Sequence, residues 1–488
     1  MKDSMPALPP GWVWAPLGEL ADFINGRAFK PTDWKDQGRL IIRIQNLTGS
    51  TNERHYFDGN VEARHIVRSG DVLVSWSATL DAYVWNGPES VLNQHIFKVN
   101  PFIDKMFLYF LIKASILKLK GQVHGTGMQH ITKGRFDSTL VPLPPLAEQH
   151  RISAKIQELL SEVRTAETSL RKVPVLAARF RQSVLSKAFS GQLSEREPER
   201  ESTIERLEEV RLQRRKDSRL DLRKTVESSG NYGHEAPEEM SPASGLEKLP
   251  RGWVWTSLGR LLQVVQYGTS VKATDSAEDG VPVLRMGNIK EGRLDFSDLK
   301  YISPKRENVP KYELRPGDIL INRTNSPELV GKCALFEAKG SYLFASYLIR
   351  LGANPGMADP RYLTFFINSK IARRHIDAVK HQVAGQSNIN TRDIRSMPVP
   401  LAPLSEQSRI AEKIAKLFAQ ADQSDAAVRG GLRNVDILER AILAKALRGE
   451  LVQQDPDDEP VSDLLERIRG QHALPGKKSR SQSSLKMG

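Results

Sequence analysis

Two long stretches of the chain place apolar residues at alternating intervals of four and three. The first runs through Ile152, Ile156, Leu159, Val163, Ala166, Leu170, Val173, Ala177, Phe180 and Val184. The second runs through Ile410, Ile414, Leu417, Ala421, Ser424, Val428, Gly431, Val435, Leu438 and Ile442. Sustained over several heptads, this spacing predicts helices with coiled-coil seams; an ordinary helical core would show the same stripes. Pro144-Pro145 and Ala402-Pro403 precede the two starts, where proline is tolerated. Gly191 and Gly449 stand where a helix end favours a residue able to take positive φ. Pro174 and Gly430-Gly431 lie at nearly corresponding places mid-stretch and predict a kink or short break in each helix. Unbroken, ~40 residues would span roughly 60 Å.

Outside these stretches the pattern shortens. Residues 40–44, 71–76, 95–99, 281–286 and 318–322 read as strands, and 107–119 and 360–371 as apolar helices. Turn signals such as Asn25-Gly26, Gly49-Ser50, Asp58-Gly59 and Gly125-Thr126-Gly127 separate them.

The chain also repeats itself. Leu8-Pro9-Pro10-Gly11-Trp12-Val13-Trp14 returns as Leu249-Pro250-Arg251-Gly252-Trp253-Val254-Trp255. Arg68-Ser69-Gly70-Asp71-Val72-Leu73 answers to Arg315-Pro316-Gly317-Asp318-Ile319-Leu320. Val141-Pro142-Leu143-Pro144-Pro145-Leu146-Ala147-Glu148-Gln149 matches Val399-Pro400-Leu401-Ala402-Pro403-Leu404-Ser405-Glu406-Gln407. Ser186-Lys187-Ala188-Phe189-Ser190-Gly191-Gln192-Leu193 and Ala444-Lys445-Ala446-Leu447-Arg448-Gly449-Glu450-Leu451 close the two copies. The interval from Leu8 to Leu249 is 241 residues, whereas from Val141 to Val399 and from Ser186 to Ala444 it is 258. Length differences therefore sit in the globular parts, while the helical stretches keep one length. The expected fold is α+β: two mixed α/β heads, a pseudo-twofold pair, on two equal rods. Expected boundaries are a first head at 11–145, a first spacer helix at 146–193 and a charged segment with linker at 194–248. A second head at 249–403, a second spacer helix at 404–451 and a C-terminal segment with a basic tail at 452–488 follow. The early part of 194–248 reads as a solvated helix and its Ser/Gly/Pro-rich remainder as linker.

Composition narrows the partners. The 488 residues carry a formal charge of +13, which favours a polyanion, nucleic acid before a membrane surface. No apolar run approaches the ~20 residues of a membrane span, and the first ten residues do not resemble a signal peptide. The single cysteine, Cys333, excludes an internal disulfide and fits a reducing cytoplasm.

Catalytic motifs are missing. There is no Walker A pattern, no H-E-x-x-H, no paired C-x-x-C and no Asn-Pro-Pro-aromatic tetrapeptide. Scattered carboxylates leave a nuclease trio open on sequence alone. Asp71 and Asp318 read as turns leading into strands, Cys333 as a small core residue, and His95 and His130 as isolated.

Together the Leu-Pro-x-Gly-Trp-x-Trp opening, the Arg-x-Gly-Asp-[Val/Ile]-Leu strand start and the Pro-Leu-x-Pro-Leu-x-Glu-Gln-x-x-Ile helix start resemble type I restriction-modification specificity subunits. The Lys-Ala-[Phe/Leu]-x-Gly-x-Leu closure and the acidic run at 455–468 resemble them too, so nearly the whole chain is covered. The resemblance implies a non-catalytic subunit whose heads are target recognition domains, each reading half of a split double-stranded DNA target. It implies that the rods pack antiparallel, fix the gap between the halves, and dock two modification (methyltransferase) subunits, which recruit two restriction (translocase/endonuclease) subunits. S-adenosylmethionine, ATP and magnesium would sit on those partners and no cofactor or metal on this chain. The setting would be the cytoplasm of a bacterium or archaeon, at the nucleoid, with no membrane. Pro174, Gly430-Gly431 and the long charged linker depart from the family pattern.

Base edges are read by paired donors and acceptors, arginine toward guanine and Asn or Gln toward adenine. The candidate DNA-binding residues are Arg43, Gln45, Asn46, Asn93, Gln94, His95, Gln129 and His130 in the first head. In the second they are Arg285, Asn288, Asn322, Arg323, Asn325, Gln386, Ser387 and Asn388. Each could equally make a turn or strand-end hydrogen bond. Candidate helix-packing and subunit-docking residues are Ile152, Ile156, Leu159, Val163, Leu170, Ile410, Ile414, Leu417, Val428 and Leu438. A protein-interaction scaffold with two repeated binding heads is the rival reading.

Overall fold

A computed structural model describes residues 6–76, 79–121, 133–193, 203, 205–209, 212, 248–278, 280–383 and 386–473. The chain divides into two units: Met1–Arg171 with Arg429–Gly488, and Lys172–Val428. Each contains one head, the root of the helix that follows it, and the end of the other long helix.

The two heads share a framework. In the first, a four-stranded antiparallel sheet runs in the order Ala21–Asn25, Ile96–Pro101, Val72–Ser75, Asp81–Val84. Its counterpart in the second runs Leu262–Tyr267, Leu348–Ala353, Asp318–Asn322, Cys333–Leu335. A second sheet in each has one parallel pair, Arg39–Ile42 beside Ser90–Leu92 and Val281–Leu284 beside Leu343–Phe344. The interior strands Val72–Ser75 and Asp318–Asn322 are wholly buried and aliphatic-rich, as two-sided burial requires. Helix Lys105–Gly121 contributes Phe107, Leu108, Leu111 and Ile112 to the first core. In the second head the single helix expected at 360–371 is two, Pro360–Ile367 and Lys370–Val379. The Asn368 amide donates to the carbonyls of Cys333 and Thr364, and Ser369 Oγ caps the next helix by accepting from Ala372 N–H. Side-chain bonding to the backbone interrupts a helix whose apolar stripe continues.

The Gly-Asp repeats are turns, as the sequence suggests. Asp71 Oδ2 accepts from Arg68 N–H at 2.8 Å, and Asp318 Oδ2 from Arg315 N–H at 2.7 Å. Lys98 lies 3.0 Å from Asp71, and Arg350 3.6 Å from Asp318.

The other repeated motifs meet in space, once per unit. The opening strand Val13–Pro16 pairs antiparallel with the closing strand Leu140–Leu143, and Val254–Ser257 with Pro398–Leu401. Across each pair, the Trp12 indole N–H donates to buried Glu148 Oε2 at 2.9 Å, and that of Trp253 to buried Glu406 Oε2 at 3.0 Å. Gln149 donates to Pro144 O and accepts from Asp104 N–H; Gln407 donates to Ala402 O and Met357 O and accepts from Asp359 N–H. These bonds tie the helix start to the head. The end of the other long helix completes the clasp. A Cβ placed on Gly449 would lie 2.6 Å from Pro9 Cγ, and one on Gly191 2.1 Å from Pro250 Cγ. Both glycines have positive φ, 71° and 74°.

The long helices are Leu146–Phe189 and Leu404–Ala446. Of the kink or short break expected at Pro174 and Gly430-Gly431, the break is absent, since both helices run through those residues without interruption. Proline removes one hydrogen bond from a helix otherwise held by its packing, so local propensity is overridden. Within the first unit, Ile152, Ile156, Leu160 and Val163 share a core with Ile442, Leu443 and Ala446, partly buried Leu159 packs against it, and Leu170 lies beside Gly431. Within the second, Val184, Leu185, Ala188 and Phe189 share a core with Ile410, Ala411 and Ile414, and Leu417 packs against it. In each unit one helix start therefore meets the other helix end, in antiparallel sense. Val428 is buried, but the expected seam residues Phe180 and Leu438 are 41% and 50% exposed. Arg181, ion-paired to Asp422 and Asp425 at 2.8 and 2.7 Å, takes the inward place beside Phe180.

The segment after each long helix also docks. Helix Val461–Ala473 places Val461, Leu464, Leu465 and Ile468 in the first core, with Arg151 paired to Asp458 and Arg469 to Glu19. At the matching place in the second unit, Thr203 Oγ donates to Gly252 O, Arg206 to Gly356 O, and Leu207 packs on the core. The early charged segment is thus anchored through Thr203, Arg206 and Leu207 rather than wholly solvated. The basic tail beyond residue 473 lies outside the described residues.

Two predictions test the clasp. Gly449→Ala combines a strained φ with a clash against Pro9 and should cost about 1–3 kcal/mol, read by thermal unfolding of the purified chain. Burial holds the Glu148 carboxyl above its ordinary range, while the Trp12 N–H and the Arg151 charge act the other way. A raised carboxyl pKa means that ionisation opposes folding; the penalty is full above the folded pKa and fades as pH falls toward the unfolded value of 4.5. Glu148→Gln keeps an acceptor for the indole and removes that penalty, while burying its amide where Oε1 has no partner. Melting should show it losing ground to the parent as pH falls from 7 to 5; an advantage that grows on acidification contradicts this account.

Candidate nucleic-acid interface

The structure sorts the candidate DNA-binding residues by what their side chains already do. Arg43 and Asn46 repeat as Arg285 and Asn288, and both pairs close a loop. Asn46 Oδ1 accepts from Arg43 N–H at 3.0 Å and its amide donates to Glu53 O; Asn288 Oδ1 accepts from Arg285 N–H at 2.8 Å and its amide donates to Asp295 O and Asp298 O. Buried Asn288 has no amide hydrogen left over. Arg285 donates to Asp298, and Arg43 sits over the Trp34 ring, which stacks on His55 at 3.8 Å, and lies 4.0 Å from Glu53. These two asparagines are therefore loop-closing residues. Gln45, between them in the first head, is exposed on the single helical turn Ile44–Thr48.

Asn93, Gln94 and His95 precede strand Ile96–Pro101. Asn93 bridges to Arg27 through its backbone, and its Oδ1 accepts weakly from His95 N–H at 3.4 Å. Gln94 is exposed with its amide 3.2 Å from His95 Nε2. The His95 ring lies 5.6 Å from that of Trp76, and its Nδ1 is buried without a hydrogen-bond partner among the described residues. Gln129 and His130 lie outside the described residues.

The second head gathers its candidates. Strand Thr324–Asn325 pairs with Gln386–Asn388, which pairs in turn with His381–Val383. This small sheet brings Asn322, Arg323, Asn325, Gln386, Ser387 and Asn388 together at the end of the central strand Asp318–Asn322. Three of the six serve the fold: buried Asn322 donates to Leu329 O at 3.5 Å, Asn388 Oδ1 accepts from Thr324 Oγ at 2.6 Å, and Ser387 is buried. The other three leave side-chain capacity unused. Asn325 Oδ1 accepts from Ser326 N–H and leaves its amide, and Gln386 is exposed. Arg323 makes no side-chain hydrogen bond or ion pair among the described residues; its guanidinium lies over the Tyr267 ring, 4.7 Å from the centroid. The loop that follows is pinned by Arg373, which donates to Pro327 O, Glu328 O and Val330 O, and by Lys380. Hydrogen bonds from Arg373 and Lys380 lower the Asp377 carboxyl to about 2, so this anchor stays ionised at neutral pH.

Tyr267, Trp76 and Tyr347 (54% exposed) were missed in the sequence. Tyr347 and His95 each directly precede the equivalent sheet strand, a signal that pairing the two repeats strand by strand would have given. Burial without charged neighbours pushes the Cys333 thiol up, as for a core residue. Among the described residues no group of three or more His, Cys, Asp or Glu is placed to hold a metal ion, and no helix is long and apolar enough to cross a membrane.

Comparison with known proteins agrees with this arrangement. The chain is 27% identical over 489 residues to the type I restriction enzyme EcoBI specificity subunit of Escherichia coli, covering 97% of this chain and 95% of that one. It is 27% identical to the EcoKI specificity subunit of Escherichia coli K12, covering 97% and 98%. Among solved structures, a chain of a type I R-M system matches with TM-score 0.64 at 19% identity, over 91% of this chain and all of that one. The HsdS subunit of Thermoanaerobacter tengcongensis matches with TM-score 0.54 at 20% identity, over 92% and 100%. The sequence model of the type I restriction modification DNA specificity domain matches twice, at residues 9–173 and 250–425, each match covering one head and the root of its helix. With more than half of its length matched, this chain belongs to the type I restriction-modification DNA specificity family.

Proposed function

We propose that the chain is the specificity subunit of a type I restriction-modification complex and reads a bipartite double-stranded DNA target, one half with each head. The observation that carries this reading is the double match of the specificity domain onto two heads that share one framework and differ at their tips. The heads would be related by a pseudo-twofold. The long helices would form an antiparallel coiled coil that sets the number of unread base pairs between the half-sites. Two modification subunits would bind this chain and two restriction subunits would join them. S-adenosylmethionine, ATP and magnesium would belong to those partners, and the assembly, not this chain, would methylate adenine and cleave DNA. Its place would be the cytoplasm, on nucleoid DNA.

The helices offer a surface for such partners. Phe180 and Leu438, one 258-residue repeat interval apart, are both exposed, and Val175, Leu176 and Ile437 are exposed beside them on their respective helices. Clustered apolar exposure on an otherwise charged helix marks a binding face.

The test is adenine-methylation mapping in a methylation-free host that co-expresses this chain with its cognate modification subunit. A split motif with a gap of constant length is expected; methylation without a split motif, or without this chain, overturns the reading. Inserting four residues in each helix adds about 6 Å, so at ~3.4 Å per base pair the gap should grow by one or two. An unchanged gap rules out the helices as spacer. Phe180→Asp with Leu438→Asp should weaken capture of the modification subunit about tenfold or more while thermal unfolding of the chain stays unchanged.

A further inference from the structure

One backbone position is structurally the same in both heads and chemically opposite. Trp76 directly follows the interior strand Val72–Ser75, and its N–H donates to His95 O at 3.3 Å. Arg323 directly follows the interior strand Asp318–Asn322, and its N–H donates to Tyr347 O at 2.9 Å. His95 and Tyr347 in turn each directly precede the neighbouring strand, Ile96–Pro101 or Leu348–Ala353. The preceding crossing is also matched: Arg27 N–H donates to Leu92 O and Thr269 N–H to Phe344 O, both at bridges to the next strand. The framework thus delivers one side chain to the same place in each head.

Those side chains are uncommitted. The Trp76 indole nitrogen is buried with no hydrogen-bond partner among the described residues, and its ring is oriented by Phe97, 5.9 Å away, and by His95. The Arg323 guanidinium is oriented by Tyr267 and makes no hydrogen bond or ion pair among the described residues. Four other arginines of the second head are each paired with an acid. Arg285 is paired to Asp298, Arg350 to Asp318, Arg361 to Asp359 and Arg373 to Asp377. A guanidinium held by a ring and not a carboxylate keeps its terminal nitrogens for a ligand, although the Nε of Arg323 is buried.

We infer that this position, the residue after the interior strand, determines specificity in the second head, Arg323 reading a guanine of one half-site. The inference rests on the proposed DNA-reading function. Guanine presents two acceptors, O6 and N7, in the major groove, which the two terminal nitrogens of the arginine match. The matching Trp76 of the first head keeps its indole nitrogen buried and offers a base edge no donor.

The experiment is methylation mapping of the co-expressed complex for the parent, Arg323→Ala and Arg323→Lys. Arg323→Ala should relax selectivity at one guanine of one half-site by about ten- to a hundredfold, leaving the other half unchanged. Arg323→Lys keeps the charge without the planar fork and should also lose guanine selectivity. A motif unchanged in Arg323→Lys with uniformly weaker methylation in Arg323→Ala would make Arg323 a phosphate contact and overturn the inference. So would either substitution altering both halves, or neither. If Arg323→Ala abolishes methylation, Arg323→Lys decides in the same way. Failure of the DNA-reading function itself looks different: the parent then yields no split motif.

Discussion

The structure depends on a buried hydrogen bond made twice, from the Trp12 and Trp253 indoles to the Glu148 and Glu406 carboxylates. A buried carboxylate is costly unless something donates to it, and a buried indole N–H is costly unless something accepts. Each group answers the other's need only if the first strand of the head lies against the root of its helix. The strand ladder across Val13 and Leu143, the Gln149 bonds to both sides, and the glycine of the opposite helix against Pro9 all converge on that arrangement. Head and helix are thereby fixed to one another by polar groups of defined direction, which greasy contact alone would not achieve.

This constraint explains why the architecture could be read from the chain. A clasp of this kind needs particular residue types, and the repeats spell them: tryptophan, Glu-Gln, and a helix-ending glycine. The Gly-Asp turns were legible for the same reason. Helical stretches were legible from period but not from phase. Arg181 turns inward to Asp422 and Asp425 where the heptad count put Phe180. Pro174 looked like a break because propensity is local, whereas its helix is held by neighbours far away in sequence. The anchoring of Thr203 and Leu207 was hidden because a charged composition masks two residues that face a core.

The candidate interface was less legible. Asn46 and Asn288 carry the chemistry that reads adenine, and the fold uses it to close loops. Residue type states what a side chain can do; only its neighbours show whether that capacity is already taken. Arg323 was found by type, yet its type could not show that its guanidinium lies over Tyr267 with no counter-ion among the described residues. Trp76 escaped because the two heads diverge there in identity while keeping the same backbone bond.

The ladder that joins Val13–Pro16 to Leu140–Leu143 has a topological consequence. The chain leaves for the head and returns from it on adjacent strands, so the helix experiences a whole domain as though it were a surface loop. Whatever lies between those strands can lengthen, shorten or be exchanged without altering the register at which the helix begins. The second head, longer than the first by the difference between the two repeat intervals, is inserted through the same doorway. A head can therefore be lengthened, shortened or exchanged as a cassette while the helix keeps its starting register.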